Sequence, residues 1–300
     1  MAEEPRNGYL IIQEVERSSG EREGAMSVLD VPGARLYYET HGSGPLMVMI
    51  PGAPGSGEVF TMVTKYLMKC YTIVTYDRRG FSRSTLVGPQ DYDHRLKTDA
   101  DDVRRLIKHL STEPATVFGS SSGGVVALEV LTRCPSVVRT LAPFEPTALR
   151  QLPDGQKWVD FSFGLYDLYR RSGIEPALEK FRAHMFAESD RQVMARGTDF
   201  PGGEYVHANA TYWFERELRQ YTTVDFDLEV LQAHANRIVL LVGRESRGYP
   251  AYEVNVELGK KLERVVIELP GGHAGYLAHP AEFAREFLQA VPPMVRGPKA

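Results

Sequence analysis

Cysteine is scarce in this chain, with only Cys70 and Cys134 among 300 residues. A disulfide framework is therefore excluded, and reduced thiols in a cytoplasmic setting are the expectation. Long apolar runs are missing too. No stretch approaches the ~20 residues of a membrane-spanning helix, so no membrane span is expected. The first residues, MAEEPRNGYLII, are acidic and lack the apolar centre of a secretory signal. Excess charge of either sign is absent: 35 basic against 39 acidic side chains give a net charge of -4. The basic pairs Arg78-Arg79, Arg104-Arg105 and Arg170-Arg171 are isolated among acids, so no nucleic-acid footprint is expected. There is no H-x-x-H or C-x-x-C, no carboxylate cluster at ligand spacing, no G-x-G-x-x-G and no Walker loop. No metal and no cofactor is implied. Internal repeats and heptads are also absent, which leaves no oligomeric signature to read.

What remains is an ordinary globular composition, 43% hydrophobic and 25% charged, long enough to bury a sizeable core unaided. Residues 1–24 are polar and read as a loosely held tail, as do the last five, RGPKA. Residues 26–40 read as two short strands around a Pro32-Gly33 turn. Short apolar runs follow at 46–50, 71–76, 115–118, 138–144, 238–242 and 265–269. Runs of this length suit strands covered on both faces of a parallel sheet. Helical periodicity fills the gaps, as in AEFAREFLQAV, where Phe283, Phe287 and Val291 recur every four residues. Strands alternating with helices predict an α/β fold with a mostly parallel central sheet flanked by helices.

One stretch breaks the alternation. Residues 147–230 offer no convincing strand, only aromatic-rich helical patterns such as WVDFSFGLYDLYRRSG and EYVHANATYWFEREL. Ordinary connections are far shorter, so this segment reads as an inserted helical lid, with 25–146 and 231–300 forming the core.

The segment VFGSSSGGVVAL, residues 117–128, places G-x-S-x-G between an apolar strand and an amphipathic helix. The motif alone is a weak signal. Its context is stronger, because a sharp strand-to-helix turn forces the central residue into a strained backbone and lifts its side chain outward. That residue is Ser121, at the positive end of the following helix.

Three further segments accompany it: MIPGAPGSGEVF (49–60), YDRRGFSRS (76–84) and LPGGHAGYLAHPAEFAREFL (269–288). Together the four resemble the α/β-hydrolase family over most of the chain. Pro51-Gly52 stands where His-Gly is commoner, and Phe81 where the family often has glycine. The resemblance implies a serine hydrolase with Ser121 as nucleophile and His273 as base. It also implies an oxyanion hole from the N–H groups of Ala53 and Ser122. Two carboxylates compete for the acid of the triad. Glu145, in FEPT, lies after an earlier strand, and Glu245 after a later one. Members of the family usually carry aspartate at the third place after the glycine of that later strand, and here Ser246 occupies it. Glu145 is therefore favoured, with Glu245 as the alternative.

The lid aromatics point to a small-molecule apolar substrate, aromatic or macrocyclic, cleaved at an ester or lactone bond. Trp158 and Trp213 are expected to divide between lid packing and pocket lining, and Tyr212 and His207 are the candidates to hydrogen-bond a substrate oxygen. Two rival activities fit the same residues: a carbon–carbon bond hydrolase with the same triad, and a small-molecule sensor that uses a hydrolase pocket.

Overall fold

A computed structural model describes residues 25–196 and 203–293. The expected tails, and Pro201-Gly202, which the sequence suggests as turn residues, lie outside the described residues. Nine strands form one sheet: β1 Ala25–Val31, β2 Ala34–His41, β3 Leu46–Ile50, β4 Thr72–Tyr76, β5 Thr85–Leu86, β6 Ala115–Ser120, β7 Val138–Phe144, β8 Leu240–Gly243 and β9 Val266–Leu269. Their order is β1-β2-β4-β3-β6-β7-β8-β9, with β5 paired to β2. β1 and β2 form an antiparallel hairpin, and β2 also runs antiparallel to β4. The ladder from β4 to β9 is parallel throughout.

The parallel strands were readable as continuous apolar runs because both faces are covered. Along β3, Val48 and Ile50 enter one core cluster while Met47 and Met49 enter the other. This is the two-residue period of a strand, with apolar partners waiting on each side. One face packs α1 Thr61–Leu67 and, from the end of the chain, the short turn Gly275–Ala278 and the helix Pro280–Ala290. Phe283 and Phe287 lie on that helix, fully buried edge-on against Phe118 of β6. The other face packs α2 Arg95–Leu110 and α3 Ser122–Arg133.

Between β7 and β8 the described residues are mainly helical. It runs through α4 Gly155–Ser172, α5 Ile174–Met185, α6 Glu188–Arg196, α7 Val206–Arg216, α8 Leu218–Tyr221 and α9 Leu228–Ala233. These helices form a layer with apolar contacts of its own. Tyr169 stacks flat on Phe214 at 4.6 Å, and Phe181 meets Trp213 at 5.0 Å. No helix among the described residues is long and apolar enough to cross a membrane.

Candidate active site

The G-x-S-x-G turn is built by close approach. β6 delivers the chain to Ser121, whose backbone sits at φ 58 and ψ -123. That left-handed conformation costs a non-glycine residue of order 1–3 kcal/mol and persists only where surroundings enforce it. They do so here. A Cβ on Gly123 would lie 2.1 Å from Ile50 O, and one on Gly119 would lie 2.2 Å from Gly123 O. Only glycine at both places lets the helix fold back over the strand ends. Ser121 N–H donates to Phe144 O at 3.0 Å, which pins the turn to β7. Ser122 begins α3, so its N–H is among those with no intrahelical acceptor. Ser120 points elsewhere: its hydroxyl faces the Tyr276 hydroxyl at 3.4 Å in the core. Burial pushes the Tyr276 phenol up to about 12, so it stays protonated near neutrality.

The loop after β3 approaches the same serine. A Cβ on Gly52 would stand 2.9 Å from Ser121 Cβ, so the backbone at Gly52 and Ala53 passes directly beside the hydroxyl-bearing carbon. Three groups fix this loop. Arg78 Nη2 donates to Gly52 O at 2.9 Å, Gly55 N–H donates to the same carbonyl at 2.9 Å, and Asn209 of α7 donates to Pro54 O at 2.9 Å. Asp77, fully buried, accepts from Ser56 Oγ, Gly57 N–H and the Arg83 guanidinium. The YDRRGFSRS segment thus supports the loop from beneath.

His273 lies in the loop after β9 and is 3% exposed. Its Nδ1 is 2.6 Å from Glu145 Oε2. Glu145 itself is 1% exposed and held at φ 44 at the end of β7. Its other oxygen accepts Gly243 N–H at 2.7 Å. Both oxygens are engaged, so the carboxylate has one orientation. Glu245 instead is exposed and accepts the Ser189 hydroxyl at 2.7 Å. The two carboxylates that competed in the sequence are therefore in different places, one on the imidazole and one at the surface.

Ser121, His273 and Ala53 line one cavity of about 250 Å3 under the helical layer. Phe181, Phe186, Met194, Val206, Trp213 and Leu277 make much of its apolar wall. Of the two tryptophans, Trp213 is the one that lines the cavity and Trp158 the one that packs the helical layer, while Tyr212 and His207 lie away from the cavity. Trp158 sits on α4, edge-on to Phe161 at 5.5 Å with Nε1 bonded to Asp154. Tyr212 packs over Gly80 and hydrogen-bonds Arg95 in the core. His207 is exposed on the outer side of α7. Helical spacing explains the split: Trp213 follows Tyr212 by one residue, which turns its side chain about 100° around the helix axis.

Two groups at this site were not anticipated. Asp190 of α6 accepts the N–H of His273 at 2.9 Å and of Ala274 at 2.8 Å. Phe186 lays its ring over the His273 imidazole, with centroids 4.4 Å apart. Phe186 was one of the dense lid aromatics without a role of its own, and Asp190 carried no sequence signal, since it stood in an unremarkable amphipathic pattern.

Comparison with known proteins identifies the family of the fold. The profile of the Alpha/beta hydrolase family matches residues 47–286. An uncharacterized hydrolase of Bacillus subtilis (strain 168), YraK, is 34% identical over 260 residues, covering 85% of this chain and 92% of its own. Among solved structures, a thermophilic esterase from Thermogutta terrifontis superposes with a TM-score of 0.68 at 18% identity, covering 89% of this chain and 98% of that one. Naproxen esterase from Bacillus subtilis does so with a TM-score of 0.64 at 18% identity, covering 89% and 91%. The profile match over residues 47–286, together with the 34% identical hydrolase relative, makes this chain a member of the alpha/beta hydrolase family.

Proposed function

We propose that the protein is a serine hydrolase that cleaves a compact, apolar carboxylic ester or lactone through an acyl-enzyme on Ser121. The observation that carries this reading is the Glu145–His273 contact of 2.6 Å at a cavity that also exposes Ser121. A serine hydroxyl is a weak nucleophile near neutrality and requires a base. With Nδ1 committed to Glu145, Nε2 of His273 is the nitrogen left to take the Ser121 proton. Glu145 fixes that tautomer and stabilises the imidazolium that forms.

Attack on the carbonyl places negative charge on its oxygen. The N–H groups of Ala53 and Ser122 receive it, and the positive end of α3 adds to the field. His273 then protonates the departing alkoxide, and the alcohol leaves. Water, deprotonated by the same imidazole, attacks the acyl-enzyme and releases the acid.

The segment 147–230 acts as the lid, and its Phe181, Phe186 and Trp213 form the apolar receptor. At about 250 Å3 the cavity lies just under the usual ~300–1,000 Å3 of small-molecule pockets. That size favours an aryl or short alkyl ester, or a small lactone, over a macrocycle. The test is covalent labelling with a fluorophosphonate, followed by peptide mass spectrometry. The expected adduct is on Ser121. An adduct on Ser120 or Ser122, or no adduct with no turnover of p-nitrophenyl acetate, overturns the reading.

A further inference from the structure

The loop that carries His273 is held in place by the helical layer. Glu145 orients the imidazole ring, but where Nε2 sits is set by the backbone of residues 271–274. That backbone offers two successive N–H groups, His273 and Ala274, and both converge on the one carboxylate of Asp190 at 2.9 and 2.8 Å. Successive N–H groups aimed at one point form an anion-binding concavity, and Asp190 fills it from α6. The fit is close enough to dictate its neighbour. A Cβ on Gly272 would stand 2.3 Å from Asp190 Oδ2, so a larger residue there would push the carboxylate off the two N–H groups.

The same helix and the turn before it grip the loop twice more. Phe186 covers the imidazole at 4.4 Å. Ser189 donates to Glu245 at 2.7 Å, and Glu245 N–H in turn donates to Gly271 O at 3.0 Å. Asp190 is 2% exposed. Burial raises its carboxyl group above the ordinary range and the nearby Glu145 adds to that, while the two N–H bonds and His273 oppose it. A buried carboxylate spent on two backbone groups is costly for stability alone, which fits a group retained for placement.

Resting on the serine-hydrolase reading above, we infer that Asp190 is a positioning residue for His273, and that docking of α6 on the histidine loop completes the base. Asp190 lies outside the substrate cavity, so its loss is expected to act on kcat and leave KM nearly alone. A misplacement near 1 Å costs about a hundredfold in rate. Asp190→Asn, which offers one acceptor where two are needed, is expected to lower kcat for p-nitrophenyl acetate and the fluorophosphonate labelling rate by tenfold to a hundredfold, with KM within threefold. Gly272→Ala keeps the carboxylate but drives it off the loop, and is expected to show the same loss. The double variant should be no worse than either single one.

Chemical rescue separates placement from plain stability. A second cavity of about 230 Å3, lined by Ser189, Glu245, Gly272 and His279, opens beside Asp190. Formate can enter there and bridge the two N–H groups in Asp190→Ala. The expected result is a saturable rise in kcat and labelling rate with formate, and none with chloride at equal ionic strength. Wild-type kcat and labelling rate in both Asp190→Asn and Gly272→Ala, each folded at 25 °C, overturn the inference. So does loss of activity in Asp190→Ala that formate does not restore. If the wild-type protein fails to label, the serine-hydrolase reading falls and this one falls with it. A labelled wild type beside unimpaired variants removes only this one.

Discussion

Glu217→Gln is expected to lower the melting temperature by about 5–8 °C. The side chain of Glu217 is fully buried, and its two oxygens accept from Arg78 Nη1 and Nη2, each at 2.7 Å. One of them also accepts from Arg95 Nη2 at 3.2 Å. Asp99 serves the same two arginines, at 3.1 Å from Arg78 and 3.3 Å from Arg95. Two guanidiniums thus face two carboxylates, and the group is neutral. Glutamine has nearly the same shape but removes one negative charge, leaving a buried excess of one cation. Breaking a buried pair in this way costs about 3–5 kcal/mol. Unfolding entropy is about 2.1 cal/mol/K per residue, or about 0.6 kcal/mol/K for a chain of this length, which gives the stated shift. Calorimetry at low and high salt is the assay. Since the pair is buried, the deficit should persist in 1 M NaCl, where surface pairs are screened. Arg78→Met in the Glu217→Gln background restores neutrality and should recover part of the loss. A shift below about 1 °C, or one that salt abolishes, refutes the assignment of a paired, buried network.

The chemistry yields further expectations. Ser121→Ala and His273→Ala should each lower kcat by several orders of magnitude, and the double variant should be little worse, because triad members act as a unit; additive losses in steady-state kinetics would place His273 outside the triad. Glu145→Gln should reduce kcat by about a thousandfold to ten-thousandfold with the fold intact, since the amide favours the wrong imidazole tautomer, whereas Glu245→Gln should leave kcat unchanged. Trp213→Ala should shift the ratio of kcat/KM between a bulky aryl ester and an acetate ester by tenfold or more, within the ~1–3 kcal/mol an apolar pocket can discriminate. Trp158→Ala should leave that ratio within twofold, and an equal shift in both would disconnect the cavity wall from selectivity.

The strands of this fold were legible because burial on both faces turns a parallel strand into a plain apolar run, and the structure places strands at each run read from 46 to 269. The serine turn was legible for a related reason: glycines at 119 and 123 answer to backbone contacts that no side chain tolerates. Glu145 could be favoured because Ser246 occupies the place where an acid was expected and because FEPT resembles the arrangement with the acid after the earlier strand. Asp190, Asn209 and Glu217 were not legible. Each is a polar residue in a helical pattern, where the default reading is a solvated face. Their partners stand 83, 155 and 139 residues away in sequence, and no local spacing encodes such a pairing. Tyr212 misled in the opposite sense. Its place among the lid aromatics made it a candidate to hydrogen-bond a substrate oxygen, but the absence of a side chain at Gly80 lets its ring pack into the core.

The helical layer touches the sheet's carboxyl edge at widely separated strands. Glu217 and Asn209 fasten it beside β4 and β3, and Asp190 fastens it beyond β9. A flap secured along one side can swing freely, but a plate bolted at opposite ends cannot turn until one bolt is drawn. The two fastenings differ in kind. Near β4 the bolt is a multidentate ionic cluster sealed from water, and beyond β9 it is one carboxylate on two amides, each bond worth about 1.5–3 kcal/mol, helped by the Phe186 ring and the exposed Ser189–Glu245 bond. A swing of the plate that began at the histidine end would therefore also loosen the loop that carries His273.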